Sequence, residues 1–209
     1  RGTVEDYAAL AAMLDDLAIP YFPMVGNHDN RALFRAALPM PQGGMDKFIQ
    51  YAVPVADGLV VCLDTHKVGS DAGSLCEARR DWLRQTLRDA GARPVVLVLH
   101  HPPLPLGLPM QDTGCMEDGD VFLDLVSGFD CVSYLCIGHV HRPISGTVRG
   151  IPFSTMRSVL YQAPPPVPAW TWESFKPAEE APQIGVVQMQ GGGVTLQYEQ
   201  VCPYGVGVA

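Results

Sequence analysis

The 209-residue chain reads as an α/β sheet protein on three observations. Residues 94–99 and 131–137 are continuous apolar runs, the mark of strands buried on both faces. Segments with helical spacing of apolar residues alternate with such runs. Finally, a polar, histidine-rich cluster directly follows each of three strand-like runs. In open α/β sheets, sites form at the carboxyl ends of strands.

The elements follow in order. Thr3 with Asp6 resembles a capping box, with Asp in place of the usual Glu. Val4, Tyr7, Leu10, Met13, Leu14 and Leu17 then keep helical spacing. Residues 21–25 form a short apolar strand that runs into Gly26-Asn27-His28-Asp29, and residues 30–38 form a short helix. Residues 48–55 and 58–63 are strands around an Ala56-Asp57-Gly58 turn. Ser74 with Glu77 is a second capping box, opening a helix whose apolar face holds Ala78, Trp82, Leu83 and Leu87. The strand at 94–99 stops at His100-His101-Pro102-Pro103. Residues 119–127 are helical, and the strand at 131–137 ends at Gly138-His139-Val140-His141. From residue 144 the pattern is all-β. Residues 144–149 and 151–155 pair across Gly150, and residues 184–190 and 194–201 pair across Gly191-Gly192-Gly193. Between these pairs lies a Pro-rich stretch, 163–182, with Trp170, Trp172 and Phe175. It reads as an ordered crossing loop or a partner-contact segment. No repeat or linker interrupts the chain, so residues 1–209 are expected to form one domain.

Composition narrows the function. Apolar residues make up 47% and charged residues 17%, which marks a globular chain. The formal net charge of −8 provides no long-range attraction to a nucleic-acid polymer or an anionic membrane. No apolar run is long enough to span a membrane. The six cysteines form no C-x-x-C pair, which argues against structural zinc. Cys62, Cys131 and Cys136 lie in or beside strand-like runs, where a thiol behaves as a small hydrophobe. Reduced cysteines and no visible signal peptide lead to the expectation of a cytoplasmic protein.

The histidine clusters carry the chemistry. Residues two apart on an extended segment point to one side, so His139 and His141 can each reach a different metal of a close pair. An Asn27 carbonyl oxygen is a hard, neutral ligand that adds no charge to repel a phosphate. His28 can donate a proton or hydrogen bond to a phosphate oxygen. Asp29 can fix the His28 tautomer, or cap the next helix together with Asn30. His100 and His101 should leave their strand on opposite sides. His100 is preferred as a ligand, and His101 as a supporting residue locked before two prolines. Together these residues form an N/O inventory suited to first-row metals. Such metals polarise a phosphoryl oxygen and generate hydroxide near neutral pH.

Gly26-Asn27-His28-Asp29, His100-His101-Pro102-Pro103 and Gly138-His139-Val140-His141, in this order, resemble the calcineurin-like binuclear metallophosphoesterases. Leu63-Asp64-Thr65, Pro105-Leu106-Gly107 and the continuation to Arg142-Pro143 are similar to the bacterial cyclic-nucleotide and glycerophosphodiester phosphodiesterase branch. The resemblance runs to about residue 160. It implies a two-sheet α/β sandwich flanked by helices, with two first-row metals (Mn, Fe or Zn). It further implies Asn27, His100 and His139 as ligands of one metal and His141 as a ligand of the other. His28 would contact phosphate and assist the leaving group. The implied reaction is hydrolysis of a small phosphodiester. A phosphomonoesterase on the same scaffold and a non-catalytic module acting through the Trp170–Trp172 segment are the alternatives.

The family's opening D-x-H and G-D motifs do not precede Gly26. Asp64-Thr65-His66 and Gly119-Asp120 spell them only by chance, since Asp64 fits the family's Leu-Asp-Thr strand and Gly119 opens a helix. The sequence therefore resembles one that starts just after the metal-bridging Asp and lacks the first strand–helix unit. On that expectation this chain alone holds metal weakly and turns over slowly. An uncovered sheet edge would also favour a homo-oligomer.

Overall fold

The computed structural model describes residues 2–201. Val4–Asp15 (α1) and Arg31–Ala37 (α2) open the chain, followed by Tyr51–Val55 (β1) and Gly58–Leu63 (β2). Glu77–Ala90 (α3), Val95–Leu99 (β3), Gly119–Val126 (α4) and Val132–Ile137 (β4) continue the alternation. Ser145–Val148 (β5), Ile151–Thr155 (β6), Gln183–Gln190 (β7) and Gly193–Gln200 (β8) end it. Six strands form one sheet in the order β1-β2-β3-β4-β6-β5, and β7-β8 form a separate pair. The central strands β2, β3, β4 and β6 are parallel, and antiparallel neighbours close both edges. The expected mixed α/β architecture with two sheets is present.

The period-2 alternation of strands sorts the core. Leu59, Val61, Leu63, Val95, Leu97, Leu99, Leu135 and Ile137 face α3 and α4, meeting Leu83, Leu87, Phe122 and Leu123. Cys62, Val60 and Val98 face the other way, toward Tyr7, Val25, Phe34 and Ile49 around α1 and α2. The β7-β8 pair lies against this second face, where the Tyr198 hydroxyl donates to the Thr155 carbonyl at 2.7 Å. The five described cysteines are free thiols, and Cys202 lies outside the described residues. Among the described residues, no helix is long and apolar enough to cross a membrane.

Several local expectations need correction. Residues 21–25 join no ladder. They are held instead by Val25 in the core and by the Tyr51 hydroxyl, which donates to the Pro23 carbonyl at 2.6 Å. Residues 48–50 precede β1 rather than belonging to it, because the Ile49 N–H is taken by the Asp64 carboxylate. The Thr3–Asp6 capping box forms. The Ser74–Glu77 box does not, since α3 starts at Glu77 and Cys76 occupies the cap position without a side-chain capping bond. Asp118, far along the chain, accepts the Leu75 N–H instead. Ala78 is exposed and Arg79 is buried. The inward face of α3 thus begins with a guanidinium, which needs an anion to be buried.

That anion is Asp64. Its side chain is fully buried and takes the Arg31 Nε and Nη2 at 2.5 and 2.7 Å. Arg79 Nη1 lies 3.6 Å from Oδ1, the oxygen that also accepts Arg31 Nη2. The Phe48 ring sits under both guanidiniums, at 5.3 Å from Arg31 and 4.6 Å from Arg79. Asp64 therefore organises the end of β2, both its oxygens taken by protein donors. Asp120 is a solvent-facing partner of Arg149.

Candidate metal centre

The parallel strands β3 and β4 end side by side, with the Gly138 N–H donating to the Leu99 carbonyl at 3.0 Å. His100 and His139 therefore start from neighbouring points on one rim of the sheet. The His139 Nδ1 lies 3.2 Å from the His100 Nε2, and that nitrogen lies 3.0 Å from the Asn27 Oδ1. Asn27 reaches this point from the loop after residues 21–25, and its Nδ2 lies 3.4 Å from the Asp71 carboxylate. His28 and His141 line the same cavity of about 600 Å³.

The backbone around the cluster is shaped to let the rings close. A Cβ at Gly26 would stand 2.9 Å from the His100 ring, and one at Gly114 would stand 2.1 Å from the His139 Nε2. Only glycine permits both approaches.

His139 and His141 do reach one cavity, but not by strand alternation. Both are left-handed, with φ of 68° and 51°. The Val140 N–H bonds back to the Gly138 carbonyl at 2.8 Å, and Val140 is fully buried. Burying this valine turns the flanking histidines outward. Non-glycine residues held left-handed cost free energy and cluster at functional sites.

His100 and His101 likewise do not diverge. The chain bends at His100, directly after β3, and the two rings lie 4.8 Å apart, edge to face. His101 is fully buried and shares a 2.7 Å hydrogen bond with the Thr65 hydroxyl through its Nδ1. One ring nitrogen from each of His100, His101 and His139 lies within 4.8 Å of the other two. Asp29 does not orient His28. Its carboxylate accepts the Tyr7 hydroxyl and the Gly26 N–H, both at 2.7 Å, and so fixes the loop that presents Asn27. Asn30 caps α2.

The electrostatics favour lone pairs over protons. Burial pushes His100 well below the usual imidazole range, and the neighbouring histidines add to this. His139 is lowered to about 4, chiefly by burial and then by His141, while Asp71 opposes the shift. Burial also lowers His101, to about 3, and His141. Neutral imidazoles are the form that binds metals.

The atoms present fit a cation. Ligand atoms about 2.1 Å from one ion, at near-tetrahedral or octahedral angles, sit about 3.0–3.4 Å from each other. The spacings among Asn27, His100 and His139 match this. His141 stands beside them, its Nδ1 buried without a hydrogen-bond partner and its ring edge-on to Tyr161 at 4.5 Å.

Three contributors carried no signal in the sequence. Asp71 comes from a loop with no motif. Gln111 comes from the turn before a short 3-10 segment, Asp112–Gly114. Tyr161 belongs to the segment that crosses over the cavity. Only the aromatic richness of residues 163–182 hinted at this last element.

A family model described as calcineurin-like phosphoesterase matches residues 1–143. The chain is 37% identical over 159 residues to a probable cyclic nucleotide phosphodiesterase, RPA0124, of Rhodopseudomonas palustris, covering 75% of this chain and 58% of that protein. It is 32% identical over 166 residues to the glycerophosphodiester phosphodiesterase GpdQ of Enterobacter lignolyticus, covering 78% and 60%. It is also 32% identical over 162 residues to a cAMP/cGMP dual specificity phosphodiesterase, MT0825, of Mycobacterium tuberculosis, covering 77% and 48%. The chain thus spans between 48% and 60% of the length of these relatives.

Proposed function

Because the chain belongs to the calcineurin-like phosphoesterase family, we propose that it is the metal-binding part of a hydrolase for small phosphodiesters. The substrates are of the 3',5'-cyclic-nucleotide or glycerophosphodiester type. The observation that carries the reading is the convergence of the Asn27 Oδ1, His100 Nε2 and His139 Nδ1 at 3.0 and 3.2 Å within one cavity.

Asn27, His100 and His139 would hold one first-row metal, and His141 would contribute to a second. When bound, such metals polarise the phosphoryl oxygens and lower the pKa of water. The chain's own residues do the rest. The Asn27 carbonyl adds no negative charge next to an anionic diester. His28, exposed on the cavity wall, would meet a non-bridging oxygen or the departing alkoxide of a bound diester. It can hand that oxygen a proton. Asp29 holds the loop at Gly26, so that Asn27 and His28 keep a fixed relation to His100.

The test is hydrolysis of bis(p-nitrophenyl) phosphate with added Mn²⁺, alongside p-nitrophenyl phosphate. A diester rate exceeding the monoester rate, and falling about 10²–10⁴-fold in His28→Ala, fits an acid at that position. A rate indifferent to His28 removes it from the reaction, and a faster monoester rate reverses the substrate class.

A further inference from the structure

The crossing segment builds a second wall onto the cavity. Trp172 and Tyr161 line the same space as His28, His100 and His141. Tyr161 is braced edge-on by Phe175 at 5.7 Å, and Trp172 packs on Trp170 and Phe175 at 5.3 and 5.7 Å. Trp172 is nevertheless 55% exposed. The wall is tied to the ligand loop itself. Glu180 takes Arg142, the residue after His141, at 3.0 Å and Arg157 at 2.8 Å. The Ala163 N–H donates to the His141 carbonyl at 3.1 Å. An aromatic surface stapled this way is part of the site rather than a free arm for a protein partner.

A polar group stands between the wall and the histidines. Gln111 is 6% exposed, and its Oε1 has no hydrogen-bond partner. It lines the main cavity and also the smaller space beneath Trp172 and Tyr161. Its loop is rigidly held. The Asp112 carboxylate accepts the N–H groups of Leu106, Gly107 and Leu108 at 2.8, 3.1 and 3.0 Å. Gly114 of the same turn packs under His139. An unpaired buried amide atom is costly unless a ligand completes it. No Lys or Arg is among the described residues lining this cavity, so its far end is not built for a second phosphate.

A flat apolar face beside a lone carboxamide suits a planar heteroaromatic group with hydrogen bonds on its edge. We propose that Trp172 and Gln111 form a nucleobase subsite: the indole stacks on the base and the carboxamide bonds to its edge. The inference rests on the phosphodiesterase reading above. Within it, the subsite selects cyclic nucleotides over glycerophosphodiesters.

Calorimetric titration of the Mn²⁺-loaded chain with adenosine 5'-phosphate and with ribose 5-phosphate tests it. Stacking of one base on an aromatic side chain should favour the nucleotide by about tenfold or more. Trp172→Leu should shrink that preference to about threefold or less, and Trp172→Phe should keep most of it. Gln111→Leu should narrow the preference for adenosine 5'-phosphate over purine riboside 5'-phosphate, which lacks the exocyclic amine. Equal affinity for the two phosphates in the unaltered chain, or a preference indifferent to Trp172→Leu, overturns the subsite and leaves the phosphate site standing. Failure to bind either ligand overturns both.

Discussion

The ends of β2 and of β3–β4 lie on one rim, yet they resolve buried polarity in opposite ways. After β2, Asp64 is fully buried and saturated by Arg31, Arg79 and the Ile49 N–H. After β3 and β4, His100, His101 and His139 crowd together, and the neighbouring charge is Asp71, beside Asn27. The first cluster satisfies itself and serves the fold. The second gathers buried neutral imidazoles, the arrangement the proposed metal site requires. The two differ in charge pairing: the Asp64 carboxylate is met by two guanidiniums, while the imidazoles are met mainly by one another.

The comparison is easiest to break at Asp64. Asp64→Asn leaves two guanidiniums without their anion. Breaking a buried pair costs about 3–5 kcal/mol, so the urea midpoint should fall steeply. A midpoint close to that of the unaltered chain would mean that Asp64 is not structural.

The histidines should respond the other way. His139→Ala should weaken Mn²⁺ binding by about 100-fold or more, with a much smaller loss of stability than Asp64→Asn. Gly114→Ala, which forces the His139 ring aside, should cost about 10–100-fold in affinity. Titration calorimetry measures both, and unchanged affinity in His139→Ala would sever that residue from the metal.

Acid sharpens the contrast further. In the metal-free chain the folded pKa values of His139 and His101 lie near 4 and 3, below the ordinary value of 6.5. The unfolded chain therefore binds protons first. Stability should be level above about pH 7 and decline as pH falls from about 6.5 toward 4. His139→Asn should flatten that decline. A pH-independent urea midpoint across this window would contradict the buried neutral cluster.

The smallest effect is expected at Glu180. Its partly exposed pairs with Arg142 and Arg157 are worth about 1 kcal/mol at most. Glu180→Gln should barely change the melting temperature, while loosening the wall over the cavity. Faster amide exchange across residues 158–182 would register this.

Much of the fold was legible because it is written in local pattern. The runs that became β3 and β4 were placed to within a residue, and the turns at Gly150 and Gly191-Gly192 formed where glycines allow positive φ. The failures share a cause, which is that distant residues decided local form. Asp118 fixes the approach to α3 from more than forty positions away. Arg79 is inside because Asp64 is. Residues 21–25 have strand composition, but a ladder requires a neighbour.

The gathering of Asn27, His28, His100, His139 and His141 around one cavity was legible because those residues sit in short motifs. Their geometry was not legible, since the left-handed turn depends on Val140 finding the core. Asp71, Gln111 and Tyr161 reach the cavity from loops whose course only the folded chain reveals.

Val140 gives the rim one mechanical property. Two imidazoles hang from either side of a single apolar peg sunk in the protein interior. Each is joined to that peg by one peptide bond, so a shift of Val140 is passed to the backbone of both. A substitution that reseats Val140 would therefore alter the spacing of the two imidazoles without altering either side chain.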